Sequence, residues 1–341
     1  MIFEKKIELE NPFIRYAPGV GAVFSLLPIQ NVSINWMIES YSHMYVIYQD
    51  SLSTVLEKTA GLTGEVTEYG FTFPNEVPGI DIERISKRSI LDIYKTFIEF
   101  IIDQLLLDKC IYVFINCRYI QNFEIEYDNV HPILIYAFNF QEKIFYFRHY
   151  LFGSYIESGV SQDELEKSVM NSGIYNDFFY QIVYLLQKKK IFTKTCENTN
   201  DTLIDSIHWH LKSCEKKDNC FKGKNVYNGI FLNWEREIEN FPFDYNVGLL
   251  FALCEHKKVI FEGIKHLSMF QEKKELLQND YLDIMRMANK VKIGYLHCYY
   301  SLANYKGQFK NLEKYLKDIS EREEGVYKCI LDSLLEQGQE E

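Results

Sequence analysis

Three apolar runs follow closely on one another after residue 109, and they limit what the chain can fold into more than any other feature. Cys110-Ile111-Tyr112-Val113-Phe114-Ile115-Asn116 is the first, His131-Pro132-Ile133-Leu134-Ile135-Tyr136-Ala137-Phe138-Asn139-Phe140 the second and Ile144-Phe145-Tyr146-Phe147 the third. Runs of this length, rich in β-branched and aromatic residues and separated by polar turns, predict strands over 110–116, 132–138 and 143–149, with a shorter one at 154–156. Ahead of them, Ile90, Ile93, Tyr94, Phe97, Ile98, Ile101 and Leu105 recur at spacings of three and four, which predicts a packed helix over 86–107. Helix first and sheet later is an α+β arrangement.

The flanks add mostly helices. Ala17-Pro18-Gly19-Val20-Gly21 reads as a turn entering a short helix over 22–27, which Pro28 ends, and a further helix is expected over 35–48. Six glycines and prolines between 61 and 79 mark a loop-rich insertion with a brief strand near 66–73. Ser161-x-x-Glu164 is a capping box leading into a helix over 164–170. Beyond it the pattern predicts helices over 177–189, 202–213, 226–239, 248–267, 272–298 and 309–335, and hence an α-helical second domain over 161–341 after a first domain over 1–160.

At 341 residues and 47% hydrophobic, the chain can bury a large core. Its 25 Tyr and 25 Phe suit thick cores or an apolar cleft. A net charge of -11 disfavours a nonspecific nucleic-acid surface, which works by neutralising phosphates with Lys and Arg. The plainest basic run, Lys188-Lys189-Lys190, follows Val183-Tyr184-Leu185-Leu186 and reads as a helix end whose carbonyls favour cations. Residues 1–10 are too charged for a secretory segment, and the uncharged stretch 16–38 is broken by Pro18 and Pro28, so a cytoplasmic location with no membrane partner is expected. The eight cysteines show no C-x-x-C pair, so neither a structural zinc nor a disulfide framework is indicated.

His131 has two readings on its own residues: a strand-borne base for acyl transfer, or a residue that caps its strand and bonds to a loop. Cys117 is either a thiol brought to that base from another strand or an ordinary packed residue. Glu255, His256 and Lys257 are consecutive on a predicted helix and point in different directions, so a metal site there has little support; Glu255 and Lys258, three apart, suit an ion pair.

The stretch from His131 to Asn139, with Phe145-Tyr146-Phe147-Arg148-His149 after it and Phe114-Ile115-Asn116-Cys117-Arg118-Tyr119 before it, resembles a bacterial papain-like family. That family includes the butirosin-pathway acyltransferase and the closthioamide-pathway amide synthetase and is related in fold to the C39 peptidases. Asn35-Trp36, Tyr227-Asn228-Gly229-Ile230 and the segment from Leu250 to Lys258 resemble other parts of it.

The resemblance implies a papain-like fold for 1–160. It also implies transfer of an acyl or peptidyl group from a carrier-protein thioester to a small amine, the acyl group riding on a phosphopantetheine arm and no cofactor being held by the chain itself. The family's cysteine nucleophile falls on Ala22, an engineered replacement or a natural loss, and Ser25 one turn onward is a weaker substitute. His131 takes the place of the base, and Asn139 or His149 that of the residue orienting it. A peptidase would use the same groups. The other reading is a catalytically inactive member acting as a binding or scaffold protein.

Overall fold

The computed structural model describes residues 4–15, 17–47, 60–62, 77–151, 154–173, 181–189, 199–212, 220–240, 248–301 and 305–337. The chain divides into two compact units, residues 1–32 with 72–194 and residues 33–71 with 195–341. The division therefore does not fall at 160. Each unit takes a piece from both halves of the chain. The fold is α+β, with antiparallel sheets.

The first unit is built on a sheet of β1 (Glu4–Lys6), β4 (Ile80–Ser86), β5 (Cys110–Asn116), β6 (Val130–Asn139), β7 (Ile144–Leu151), β8 (Ser154–Ser161) and β9 (Ile182–Lys188), in the order β4-β9-β5-β6-β7-β8 with β1 paired to the end of β6. The three strands read from the apolar runs are its centre. All seven residues of β5 are buried, so the sheet is covered on both faces. On one face Ile111, Val113, Ile115, Ile133, Ile135, Phe145 and Phe147 pack with Phe97, Ile101 and Leu105 of α4 (Phe97–Leu106) and with Leu165 and Val169 of α5 (Gln162–Met170). On the other, α1 (Pro18–Phe24) lies against β6 and β7.

Local chemistry sets the helix ends. Pro18 opens α1, one turn ahead of the expected start, because its fixed φ suits a first helical position. The capping box of α5 is present, Ser161 Oγ accepting from Glu164 N and Glu164 Oε2 from Ser161 N. The helix expected over 86–107 is two helices, α3 (Lys87–Leu91) and α4, because Thr96 Oγ1 accepts from Glu99 N and starts a new helix. Glu166 of α5 accepts from the amides of Phe97 and Ile98, placing a carboxylate on the positive end of α4.

The helix expected over 177–189 is instead strand β9 where it is described. Its five residues from Ile182 to Leu186 are all buried between β4 and β5, and an apolar run that short does not by itself separate a buried strand from a helix. Lys188 and Lys189 thus close a strand: Lys188 Nζ donates to Glu8 O, and Lys189 lies 3.6 Å from Asp81. The strand expected at 66–73 lies outside the described residues.

Pairing of β5 with β9 stops at Tyr112, and the carbonyl of Phe114 two residues on accepts from the buried Lys87 Nζ at 3.1 Å. The same ammonium donates to Val169 O, at the carbonyl end of α5, and to Ser172 Oγ. Burial pushes the Lys87 amine down to about 7. Between that value and the ordinary lysine range, the unfolded chain holds a proton that the folded chain has shed, so stability rises with pH by roughly 1.4 kcal/mol per unit at most. Urea unfolding of wild type and Lys87→Met at pH 7, 8.5 and 10 should show wild type gaining on the variant at each step. Parallel curves would show that this amine stays charged.

The second unit holds α2 (Ile34–Tyr41), β2 (Met44–Ile47), β3 (Ala60–Leu62), α6 (Thr199–Leu211), β10 (Cys220–Lys222), α7 (Val226–Asn240), α8 (Gly248–Lys265), α9 (Gln271–Ser301) and α10 (Tyr305–Gln337), with a small sheet in the order β10-β2-β3. The helix expected over 35–48 ends at Tyr41, and Met44 to Ile47 are a strand between two others. Gly223 sits at φ +58°, where a Cβ would come 2.6 Å from the His210 carbonyl oxygen, so only glycine fits this turn into α7. In the α9–α10 hairpin, Leu277, Tyr281, Ile284, Ala288, Val291, Tyr295 and Cys298 alternate at four and three and are buried. No helix among the described residues is long and apolar enough to cross a membrane.

Candidate functional site

Strand pleating brings two of the residues singled out in the sequence together. His149 pairs across the ladder with Ile133, and His131 lies two residues from Ile133 on the same strand, so both imidazoles project from one face. Their ring centroids are 5.1 Å apart, edge to face. Phe123, from the turn Gln121–Phe123, meets His149 edge-on at 4.9 Å. Burial first, and the neighbouring His131 second, push His149 down to about 4. Its Nδ1 is buried with no hydrogen-bond partner among the described residues. The imidazole is neutral at pH 7 and cannot supply the negative charge that stabilises an imidazolium.

Cys117 packs in the apolar cluster on this face. Its amide donates to Asn129 O at 2.7 Å, and burial pushes its thiol up to about 11, the opposite of what a thiolate nucleophile requires.

Ala22 is elsewhere. The fifth residue of α1, it is fully buried, one turn in from the helix start. Ser25, which caps the end of α1, accepts at 3.3 Å from Nη1 of Arg148, and Arg148 is the strand neighbour of His149 and so points from the opposite face. The helix carrying position 22 and the ring of His131 therefore occupy opposite faces of β6 and β7. Ser25 is held by a guanidinium rather than a base.

Asn139 stands at the far end of β6, eight residues from His131 and on the order of 25 Å along the strand. Its Oδ1 accepts from the amides of Gln141 and Glu142, and its Nδ2 donates to Glu142 Oε2, which makes it the turn residue of the β6–β7 hairpin. Of the four positions the resemblance implies for the site, the structure brings together only His131 and His149.

A second concentration of ionisable groups lies inside the helical unit. Glu323 is completely buried. Its Oε1 accepts from Lys257 Nζ at 2.6 Å, Tyr281 OH at 2.6 Å and Tyr327 OH at 2.8 Å; its Oε2 accepts from Lys257 Nζ and Tyr227 OH, each at 2.7 Å. Lys257 gives its remaining bond to Nδ1 of His256 at 3.1 Å, and Nε2 of His256 donates to Ser42 O at 2.6 Å. His210 Nε2 stands 3.6 Å from Glu323. Although burial works against it, Lys257 holds the Glu323 carboxyl well below the usual carboxylate range.

His256 and Lys257, expected to diverge as helix neighbours, thus meet, because the long lysine stem bends its ammonium back beside the ring. Glu255 and Lys258 do form the expected pair, at 2.7 Å. Tyr227 and Lys257, from two segments far apart in the chain, both donate to Glu323. Sequence reading passed over Glu323, yet its signal is visible as a carboxylate in the apolar stripe Leu312, Leu316, Ile319, Glu323, Tyr327, Ile330 of α10.

The described residues hold no group of three or more His, Cys, Asp or Glu side chains placed to share a metal ion. The sequence matches no known family model and no curated protein.

Proposed function

We propose that this chain is a non-catalytic member of the papain-like acyltransferase and amide synthetase family it resembles, acting as a binding or scaffold protein for an acyl or peptidyl carrier protein. The observation that carries this reading is the separation of position 22 from His131 by the sheet. A nucleophile must come within hydrogen-bond reach of its base. A thiol at Ala22 would sit in the core behind Arg148, and the group beside His131 is a second imidazole rather than a carboxylate. The fold survives in this reading, and the proton relay does not.

The test is loading by thioesters. Wild type and Ala22→Cys are incubated with acyl-pantetheine thioesters and with an acylated carrier protein, then weighed intact and examined for complex formation by calorimetry. The reading expects no acyl adduct on either protein and measurable binding of the carrier. An adduct on Ala22→Cys that disappears in Ala22→Cys/His131→Ala would overturn it in favour of an acyltransferase that has lost its thiol. Absence of both adduct and carrier binding would also overturn it.

A further inference from the structure

Four strands of the first unit border an open groove of about 400 Å³, on the sheet face from which Arg148 reaches Ser25 at the end of α1. Glu4 and Lys6 of β1 form one wall, Tyr136 of β6 and Tyr146 of β7 the floor, and Glu157 and Gly159 of β8 the other wall. A Cβ at Gly159 would crowd Ile144 at 3.1 Å while meeting the Tyr146 ring at an ordinary 3.6 Å.

One wall is rigidly held. Arg148 Nε donates to Glu157 Oε1 at 2.7 Å; its Nη1 donates to Glu10 O at 2.5 Å and to Ser25 Oγ, and its guanidinium stacks 4.5 Å from the Tyr155 ring centroid. The guanidinium is thus committed, and it fixes the carboxylate it holds. The second oxygen of Glu157, the hydroxyls of Tyr136 and Tyr146, the Glu4 carboxylate and the Lys6 ammonium have no hydrogen-bond partner among the described residues. Burial raises the Tyr136 hydroxyl; Glu157, Tyr146 and Glu4 act in the same sense, and Arg148 opposes them.

Open donors and acceptors of both signs around one concavity of ligand size suit a ligand that also carries both signs. Lys6 and Glu157 line the groove from walls three strands apart, on the order of 15 Å between their backbones, a gap that a lysine stem, a glutamate and one small molecule carrying both charges together fill. We infer that this groove binds a small zwitterion of the amino-acid type, its ammonium against Glu157 and the tyrosyl hydroxyls and its carboxylate on Lys6. This inference uses neither histidine and stands apart from the carrier-binding reading.

The experiment titrates the full chain with the common L-amino acids and, in parallel, with their N-acetyl and methyl ester derivatives, followed by saturation-transfer NMR and calorimetry. At least one free amino acid should bind, and both blocked forms of it should bind at least tenfold more weakly. Glu157→Gln and Lys6→Met, at half-exposed and exposed positions where the fold tolerates change, should each weaken binding about tenfold. Tyr146→Phe should weaken it less. Binding by no free amino acid, equal binding of the methyl ester, or unchanged affinity in both charge variants would each overturn the inference.

Discussion

Glu323→Gln is expected to destabilise the chain by about 3–5 kcal/mol, because it strands Lys257 as a buried cation without a counter-charge. The carboxylate accepts from helices α7, α8, α9 and α10, so its loss unties four elements at once. Replacing both charges, as in Lys257→Met/Glu323→Leu, should recover much of that loss, since the desolvation penalty leaves with the ions. Chemical denaturation of Lys257→Met, Glu323→Leu and the double variant supplies the cycle. A Glu323→Gln cost below about 1 kcal/mol, or a double variant as unstable as the sum of the singles, would show that the carboxylate does not hold these helices together.

The same cluster dictates an acid limb. Burial, with Lys257 and Lys224 acting the same way and Glu323 and Glu324 opposing, pushes His210 down to about 4. Its folded value lies below its unfolded value, so the stability it supplies is complete above pH 6.5 and drains away as pH falls toward 4, by about 3 kcal/mol at most. His210→Phe should remove its share of that limb from the stability curve and leave the share that His149 supplies over the same pH range.

The sequence made some of this legible, and physical reasons account for the rest. The β6–β7 hairpin, the Ser161 capping box and the long helices of the second unit follow from periodicity and turn chemistry, and they stand where expected to within a few residues. Strand β9 was hidden because five apolar residues followed by lysines fit a helix end as well as a strand end. The strand carrying His131 could be read, but the face it presents could not. A strand buried on both sides lacks the apolar and polar alternation that tells one face from the other, and β5 and β6 are of this kind. That missing alternation left position 22 and His131 free to be imagined on one side. Glu323 was missed for a different cause: a lone carboxylate in a helix stripe acquires meaning only when its partners, up to 96 residues distant, are known.

Arg148→Ala is expected to cost about 2–4 kcal/mol, and its consequence reaches further than its energy. The residue is 6% exposed, and its side chain serves three acceptors: the Glu10 carbonyl in the N-terminal segment, the Ser25 hydroxyl at the end of α1, and the Glu157 carboxylate on β8. Truncation leaves the first two without their charged donor, while Glu157, about half exposed, recovers hydration and contributes less. Arg148→Lys keeps the charge but not the fork, because one ammonium cannot span acceptors on three separate segments, so it should retain only part of the stability. If Glu157 presents one side of the groove because Arg148 fixes it, Arg148→Lys should weaken amino-acid binding at temperatures where the variant is still fully folded, as circular dichroism would verify. A lysine variant with wild-type stability and wild-type binding would show that the guanidinium neither anchors α1 to the sheet nor positions the carboxylate.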